Sequence, residues 1–281
     1  IIKNVIFSNN KRCGTNGCVY FDAMYNNMPV VVKTIKNNNI TETFFESLLN
    51  LILSKEENED IAFPKIYRMG FYPTDNGNFV LAIIQEKIEG RAISNLKDLQ
   101  QAMSKLCYGL YKLRYENGIA FSHRDLHAGN IMYNSKKIYF IDLGYSCTTL
   151  LKTCGSIQYK RPGGYKMDPK YSCNNEVHDI CTLLLNLRTS RNDPWLIRTC
   201  HKICLLYKEK QKYDPDPELK FQIKPRWSDV EEDKEESFFH FWYMYKLYKV
   251  DIGMTIMDIR SLILGEVSLA DKLGAKWGLK F

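Results

Sequence analysis

Short β-rich runs open the chain, and apolar residues at helical spacing dominate it after Gly90. Val19-Tyr20-Phe21 and Pro29-Val30-Val31-Val32-Lys33 read as strands, separated by the turn-forming pair Asn26-Asn27. From Thr41 to Ser54, Phe44, Phe45, Leu48, Leu49, Leu51 and Ile52 recur as on one helix. Ile66 to Phe71 and Phe79 to Gln85 return to a strand pattern, with Pro73-Thr74-Asp75-Asn76-Gly77 as the turn between them. Beyond Gly90 the period is helical. Leu99, Met103, Leu106, Leu110 and Leu113 line one face of a predicted helix over 96–117, and Gly118 stands where it would stop. Further helices are predicted over 177–187, 237–250 and 255–264. The order predicts an α+β fold: a small β-rich lobe with one main helix, joined near residues 86–91 to a larger, mainly helical lobe.

Composition narrows the class. A chain of 281 residues with 45% hydrophobic content has enough apolar material for one large domain or two lobes. Aromatics at 13% and charged residues at 25% are those of a globular protein rather than a disordered one. No apolar stretch approaches the ~20 residues that span a bilayer, and no signal-peptide pattern is visible. The first residue is Ile1 rather than Met, so the chain reads as a piece of a longer product.

Nine cysteines are scattered without a C-x-x-C pair or a Cys/His metal spacing. They read as reduced thiols of an intracellular, reducing compartment. Cys13 and Cys18 flank a glycine pair, where they are either small apolar fillers or a place that senses oxidation. The net charge of +7 suits acidic ligands but marks no specific nucleic-acid site. The lysines between Lys208 and Lys224, and the acidic run from Asp229 to Glu236, read as solvated surface.

Candidate chemistry concentrates in Ser122-His123-Arg124-Asp125-Leu126-His127-Ala128-Gly129-Asn130, followed by Asp142-Leu143-Gly144 after the apolar run Lys137 to Ile141. An Asp and an Asn five apart in a loop, with a second Asp after a strand, suit phosphoryl transfer. One carboxylate receives the proton of an attacking hydroxyl, while the amide and the second carboxylate hold a metal on nucleotide phosphates. Upstream, Gly14 and Gly17 allow the backbone to approach phosphates closely and offer N–H groups to them. Lys33, ending a run of three valines, follows at the distance of a lysine strand after a glycine hairpin.

These motifs resemble the eukaryotic-type protein kinase family over roughly residues 10–190. The resemblance implies a bilobal fold with an N-lobe over 1–88 and a C-lobe over 89–281. It also implies ATP and Mg2+ as cofactors and a protein as acceptor. It assigns Asp125 as the base, Asn130 and Asp142 as metal ligands, and Lys33 as the phosphate lysine. Glu46 is the preferred carboxylate partner of Lys33, with Glu42 one turn earlier as the alternative. Backbone groups of Glu86 and Ile88 would bond adenine, Val19, Val31 and Met132 would sandwich it, and Gln85 would be the gatekeeper. Asp179 resembles the buried helix Asp that braces the catalytic loop.

The chain also departs from that pattern. Arg12 replaces the first glycine of the loop, and Gly163 replaces a Glu, which removes an ion pair of the helical lobe. His127 stands where Ser/Thr protein kinases usually carry Lys. The Asp-Leu-His-x-x-Asn form is similar to aminoglycoside and choline kinases and to kinase-like proteins of large DNA viruses, which for a viral source would mean host cytoplasm or virion. Against this, Gly155-Ser156-Ile157-Gln158-Tyr159-Lys160-Arg161-Pro162 matches the segment that shapes a peptide-binding floor, and Ser156 suits Ser/Thr rather than Tyr transfer. Thr148, Thr149, Thr153 and Tyr159 are candidate phosphorylation sites. Three readings stay open: a protein kinase, a small-molecule phosphotransferase, and a pseudokinase scaffold.

Overall fold

A computed structural model describes residues 2–14, 17–35, 40–73, 77–150, 176–213, 253–266, 269–276 and 278. The predicted helix over 237–250 and the segment from Gly155 to Pro162, with Ser156, lie outside them. The fold is α+β, with an N-terminal antiparallel sheet and one helix followed by a more helical part. Contacts divide the chain into two compact units, Ile1–Arg91 with Asn130–Ser146 and Ala92–Gly129 with Cys147–Phe281. Residues 130–146, grouped by sequence with 89–281, thus pack in the first unit.

The first unit is built on β1 (Val5–Ile6), β2 (Lys11–Gly14), β3 (Gly17–Tyr25) and β4 (Met28–Ile35). After α1 (Ile40–Leu53) come β5 (Ile61–Ala62), β6 (Ile66–Pro73), β7 (Phe79–Glu86) and the short β8 (Arg91–Ala92). The main sheet runs β1-β3-β4-β7-β6, with β2 added on β3, and all its pairings are antiparallel. Asn26 and Asn27 both take positive φ, 49° and 65°, which gives the β3–β4 turn the twist that a tight hairpin needs. Alternation on β4 sorts its side chains. Val30 and Val32 pack with Ala82 and Ile84 in one cluster, while Ile35 packs with Leu81 and Ile83 in another.

The second unit begins with α2 (Leu99–Tyr115), which buries Leu99, Met103, Leu106, Leu110 and Leu113 as their spacing predicts. Gly118, at φ 71°, turns the chain after it. β9 (Phe121–Ser122) follows, then β10 (Ile131–Tyr133) and β11 (Ile138–Phe140) of the first unit, and β12 (Cys147–Thr148), which pairs with β9. α3 (Glu176–Arg188) is buried along most of its length. α4 (Pro194–Tyr213) and α6 (Leu269–Lys276) form where no helix is predicted, and α5 (Ile256–Leu264) forms where one is. Thr255 and Asp258 close a capping box on α5, and Gly265 ends it at φ 74°. Among the described residues no helix is long and apolar enough to cross a membrane.

The cysteines differ from the expectation of reduced thiols. Cys13 and Cys18 sit opposite each other across the β2–β3 hairpin, Cα atoms 4.1 Å apart, and are joined by a disulfide. The hairpin register seats the two sulfurs together, which a scattered spacing did not signal. Cys147 is also disulfide-bonded. Cys107, Cys181 and Cys200 are buried thiols outside any disulfide, and burial pushes the Cys107 thiol up to about 12.

Candidate active site

Strand register gathers much of the predicted nucleotide site in the first unit. Val19 lies opposite Lys33, and Val31 opposite Gln85, so these four share one face of the sheet with Ile83. The Lys33 ammonium reaches the Glu46 carboxylate of α1 at 2.5 Å and stands 3.9 Å from Asp142. Glu46 is therefore its partner in the structure; the Glu42 side chain lies outside the described residues. Burial works to lower the Lys33 pKa, but the Glu46 and Asp142 charges outweigh it and hold it above the ordinary value. Such a lysine stays cationic and aimed.

Gly14 and Gly17 face each other where β2 turns into β3. Gly17 has φ 148°, and a Cβ there would lie 1.8 Å from the Thr34 carbonyl oxygen, so no side chain fits. The replaced glycine, Arg12, is exposed and opposite Val19. Gly90 is a second close approach. Its Cβ would stand 2.7 Å from the Tyr133 carbonyl oxygen, which brings the segment after β7 against the end of β10. Ile88 lies in this segment, and Met132 lies opposite Tyr139 on the β10–β11 hairpin. The Glu86 N–H donates to the Lys65 carbonyl at 2.8 Å, so an adenine contact at Glu86 falls to its carbonyl rather than to both backbone groups.

Asn130 and Asp142 bracket that same β10–β11 hairpin. The Ile141 N–H donates to the Asn130 carbonyl at 3.0 Å, which fixes the two ends of the hairpin together. Asn130 is buried; Asp142 is exposed and takes a left-handed conformation, φ 61° and ψ 64°, before the turn Leu143–Tyr145 packed on α1. Among the described residues no cluster of three or more His, Cys, Asp or Glu side chains could hold a metal. One amide and one carboxylate oxygen nevertheless fit Mg2+, which keeps several waters and takes its other ligands from phosphates.

Asp125 belongs to the second unit, in a loop held by α3. Asp179 accepts hydrogen bonds from the Ser122 hydroxyl at 2.9 Å, the His123 N–H at 2.6 Å and the Arg124 N–H at 2.9 Å. Burial raises its pKa to about 7, against the pull of those three donors. Arg124 has φ 64°, so the chain turns sharply just before Asp125. Further along, the Ala128 N–H donates to the Asn186 side-chain oxygen at 2.9 Å, and the Gly129 N–H donates to His127 Nδ1 at 3.1 Å.

Sequence reasoning missed three features of these units. An ion pair joins the half-buried Arg114 of α2 to the buried Glu176 that opens α3, so the helical unit has an ion pair of its own although Gly163 supplies none. Asn186 gives no sign in the sequence beyond an amide among leucines. The third is the disulfide of the glycine hairpin. Among the phosphorylation candidates, Thr148 is fully buried on β12, which removes it; Thr149 is exposed but its hydroxyl accepts from the Ala120 N–H at 3.0 Å. Thr153 and Tyr159 lie outside the described residues. No protein-family model matches the chain, and a search of curated proteins finds no match to it.

Proposed function

We propose that the chain is an ATP-dependent protein kinase of bilobal, kinase-like fold that transfers the γ-phosphoryl group to a serine or threonine hydroxyl. The observation that carries this reading is Lys33, half-buried and held by Glu46 and Asp142 on the sheet face shared by Val19, Val31 and Gln85. A cation held by two carboxylates is an arrangement suited to neutralising phosphate charge beside a metal ligand. Asp125 orients the acceptor hydroxyl and takes its proton. The hydroxyl oxygen bonds to the γ-phosphorus as the bond to the bridging oxygen of ADP breaks. Asn130 and Asp142 would hold Mg2+, which would supply charge neutralisation on the phosphates.

A second reading, transfer to a small alcohol, draws on His127, which replaces a fixed positive charge with an imidazole bonded to Gly129. Purified protein with labelled ATP and Mg2+, offered protein mixtures and a panel of small alcohols, separates the two. Labelling of protein with no alcohol turnover supports the kinase; the reverse supports the phosphotransferase. Nucleotide binding without any transfer supports a scaffold. Lys33→Met should keep weak ATP binding and lose most turnover, and Asp142→Asn should abolish transfer while the chain stays folded. Asp125→Asn should lower turnover by orders of magnitude with ATP affinity within about tenfold. Full activity in these variants overturns the assignment.

A further inference from the structure

α3 holds the Asp125 loop at two places. Asp179 and Asn186 are seven residues apart, so they lie on one side of the helix, about 10 Å apart along its axis. Asp179 fixes the Ser122 hydroxyl and the backbone of residues 123 and 124, and Asn186 fixes the Ala128 amide, with Asp125 and His127 between the two anchors. Asn186 is flanked by Leu183, Leu184, Leu185 and Leu187, all buried. An amide is a poor choice for helix propensity or core packing in such a run. Its hydrogen bond to a loop amide 58 residues earlier gives it a purpose.

The next amide completes the arrangement. Gly129 N–H donates to His127 Nδ1, and a ring nitrogen that accepts a hydrogen bond carries no proton. The neutral imidazole therefore holds its proton on Nε2. A Cβ on residue 129 would stand 2.9 Å from His127 Cε1, so glycine lets the ring lie against its own backbone. Two consecutive N–H groups, of Ala128 and Gly129, thus fix first the loop and then the tautomer.

We propose that Asn186 is a positioning residue for phosphoryl transfer: by holding the Ala128 amide it keeps the 127–129 backbone in the conformation that presents His127 as a fixed Nε2–H donor beside Asp125 in the chain. The catalytic consequence rests on the phosphotransfer reading given above; the hydrogen bond itself does not. Losing the amide anchor frees the peptide between residues 127 and 128, to which the Ala128 N–H belongs, to rotate and to carry the following Gly129 N–H away from the ring. The ring then loses its partner and the loop samples several geometries, to which in-line transfer is sensitive.

Two variants test this. Asn186→Leu removes the acceptor at similar volume, and Asn186→Asp keeps an oxygen acceptor. In the leucine variant, turnover should fall by about 10–100-fold with KM for ATP nearly unchanged, because the proposed nucleotide side chains belong to the other unit. Its Ala128 amide should exchange with solvent far faster. The nitrogen-15 signals of His127, which in the wild type should report the Nε2–H tautomer, should become averaged. The aspartate variant should restore all three. A leucine variant with wild-type turnover, a protected Ala128 amide, or an aspartate variant as poor as leucine overturns the proposal. If the wild type transfers no phosphoryl group, the kinase reading fails. The amide exchange and the imidazole signals then decide the anchor by themselves: unchanged signals in Asn186→Leu reject it, and changed signals rescued by Asn186→Asp retain it as a loop clamp.

Discussion

Gly17 and Lys33 illustrate opposite demands at single positions. At Gly17 the chain requires the absence of a side chain, since both its φ of 148° and the Thr34 carbonyl 1.8 Å from a built Cβ exclude one. Gly17→Ala should destabilise the protein by about 1–3 kcal/mol, the scale of a forced backbone conformation. A urea midpoint equal to the wild type would show that the hairpin relaxes freely. At Lys33 the chain requires a charge that stays in place although burial opposes it, and Glu46 and Asp142 provide for that. Much of this was legible in the residues themselves. A lysine ending a valine strand and an Asp/Asn pair in a loop carry their chemistry in their spacing. Asn186 was not legible, because its role depends on a partner 58 residues away that no local pattern names.

At the scale of elements, α3 carries two neighbouring buried ionisable groups with opposed pH dependence. Burial lowers the His178 pKa to about 3 from 6.5 and raises that of Asp179 to about 7 from 3.8. Below pH 6.5 the unfolded chain protonates His178 and the folded protein does not, so that stability is lost as pH falls toward 3. Asp179 runs the other way: its contribution is greatest at low pH and is lost as pH rises toward 7. Over roughly pH 4–6.5 the two slopes, each up to about 1.4 kcal/mol per pH unit, offset one another. His178→Gln should therefore gain stability relative to wild type as pH falls through that window. A difference in urea midpoint that stays flat with pH would mean that His178 is not held neutral.

The β2–β3 hairpin makes a second prediction at this scale. Its disulfide closes a loop of six residues, Cys13 to Cys18, and should stabilise the fold by about 2 kcal/mol through restriction of the unfolded chain. Adding reductant should lower the unfolding free energy of the wild type by about 2 kcal/mol more than that of a Cys13→Ser/Cys18→Ser double variant, which keeps the Cys147 bridge. A wild type indifferent to reductant would show that the bridge contributes nothing. Elements with their own punctuation were the legible ones: the Asn26-Asn27 turn, α2 ending near Gly118, and α5 between Thr255 and Gly265. α4 was missed because Leu196, Cys200, Ile203 and Leu206 form a thin stripe among Arg198, Lys202 and further lysines, and Pro194 at its first position reads equally as a loop residue. The disulfide was missed because hairpin register, rather than cysteine spacing, decides which sulfurs meet.

At the scale of the whole molecule, the α+β order was legible from the change of period after Gly90, and the return of residues 130–146 to the first unit was not. Nothing in an apolar run such as 137–141 says which sheet it will join. That return sets the order in which the protein matures during synthesis. Among the described residues β5, at Ile61–Ala62, finds its parallel neighbour in Ile138–Tyr139, and the Ile138 N–H donates to the Asp60 carbonyl at 2.8 Å. The first 91 residues therefore leave the ribosome with an unfinished face, and at ~5–20 residues per second they wait several seconds for the hairpin that completes it. Nascent chains arrested before residue 138 emerges should remain open to protease in the first unit, whereas chains arrested after residue 146 emerges should resist. Resistance before the hairpin appears would show that the opening sheet folds alone. A sequence that delays its own closure in this way leaves an interval in which a chaperone has a defined, edge-exposed substrate to hold.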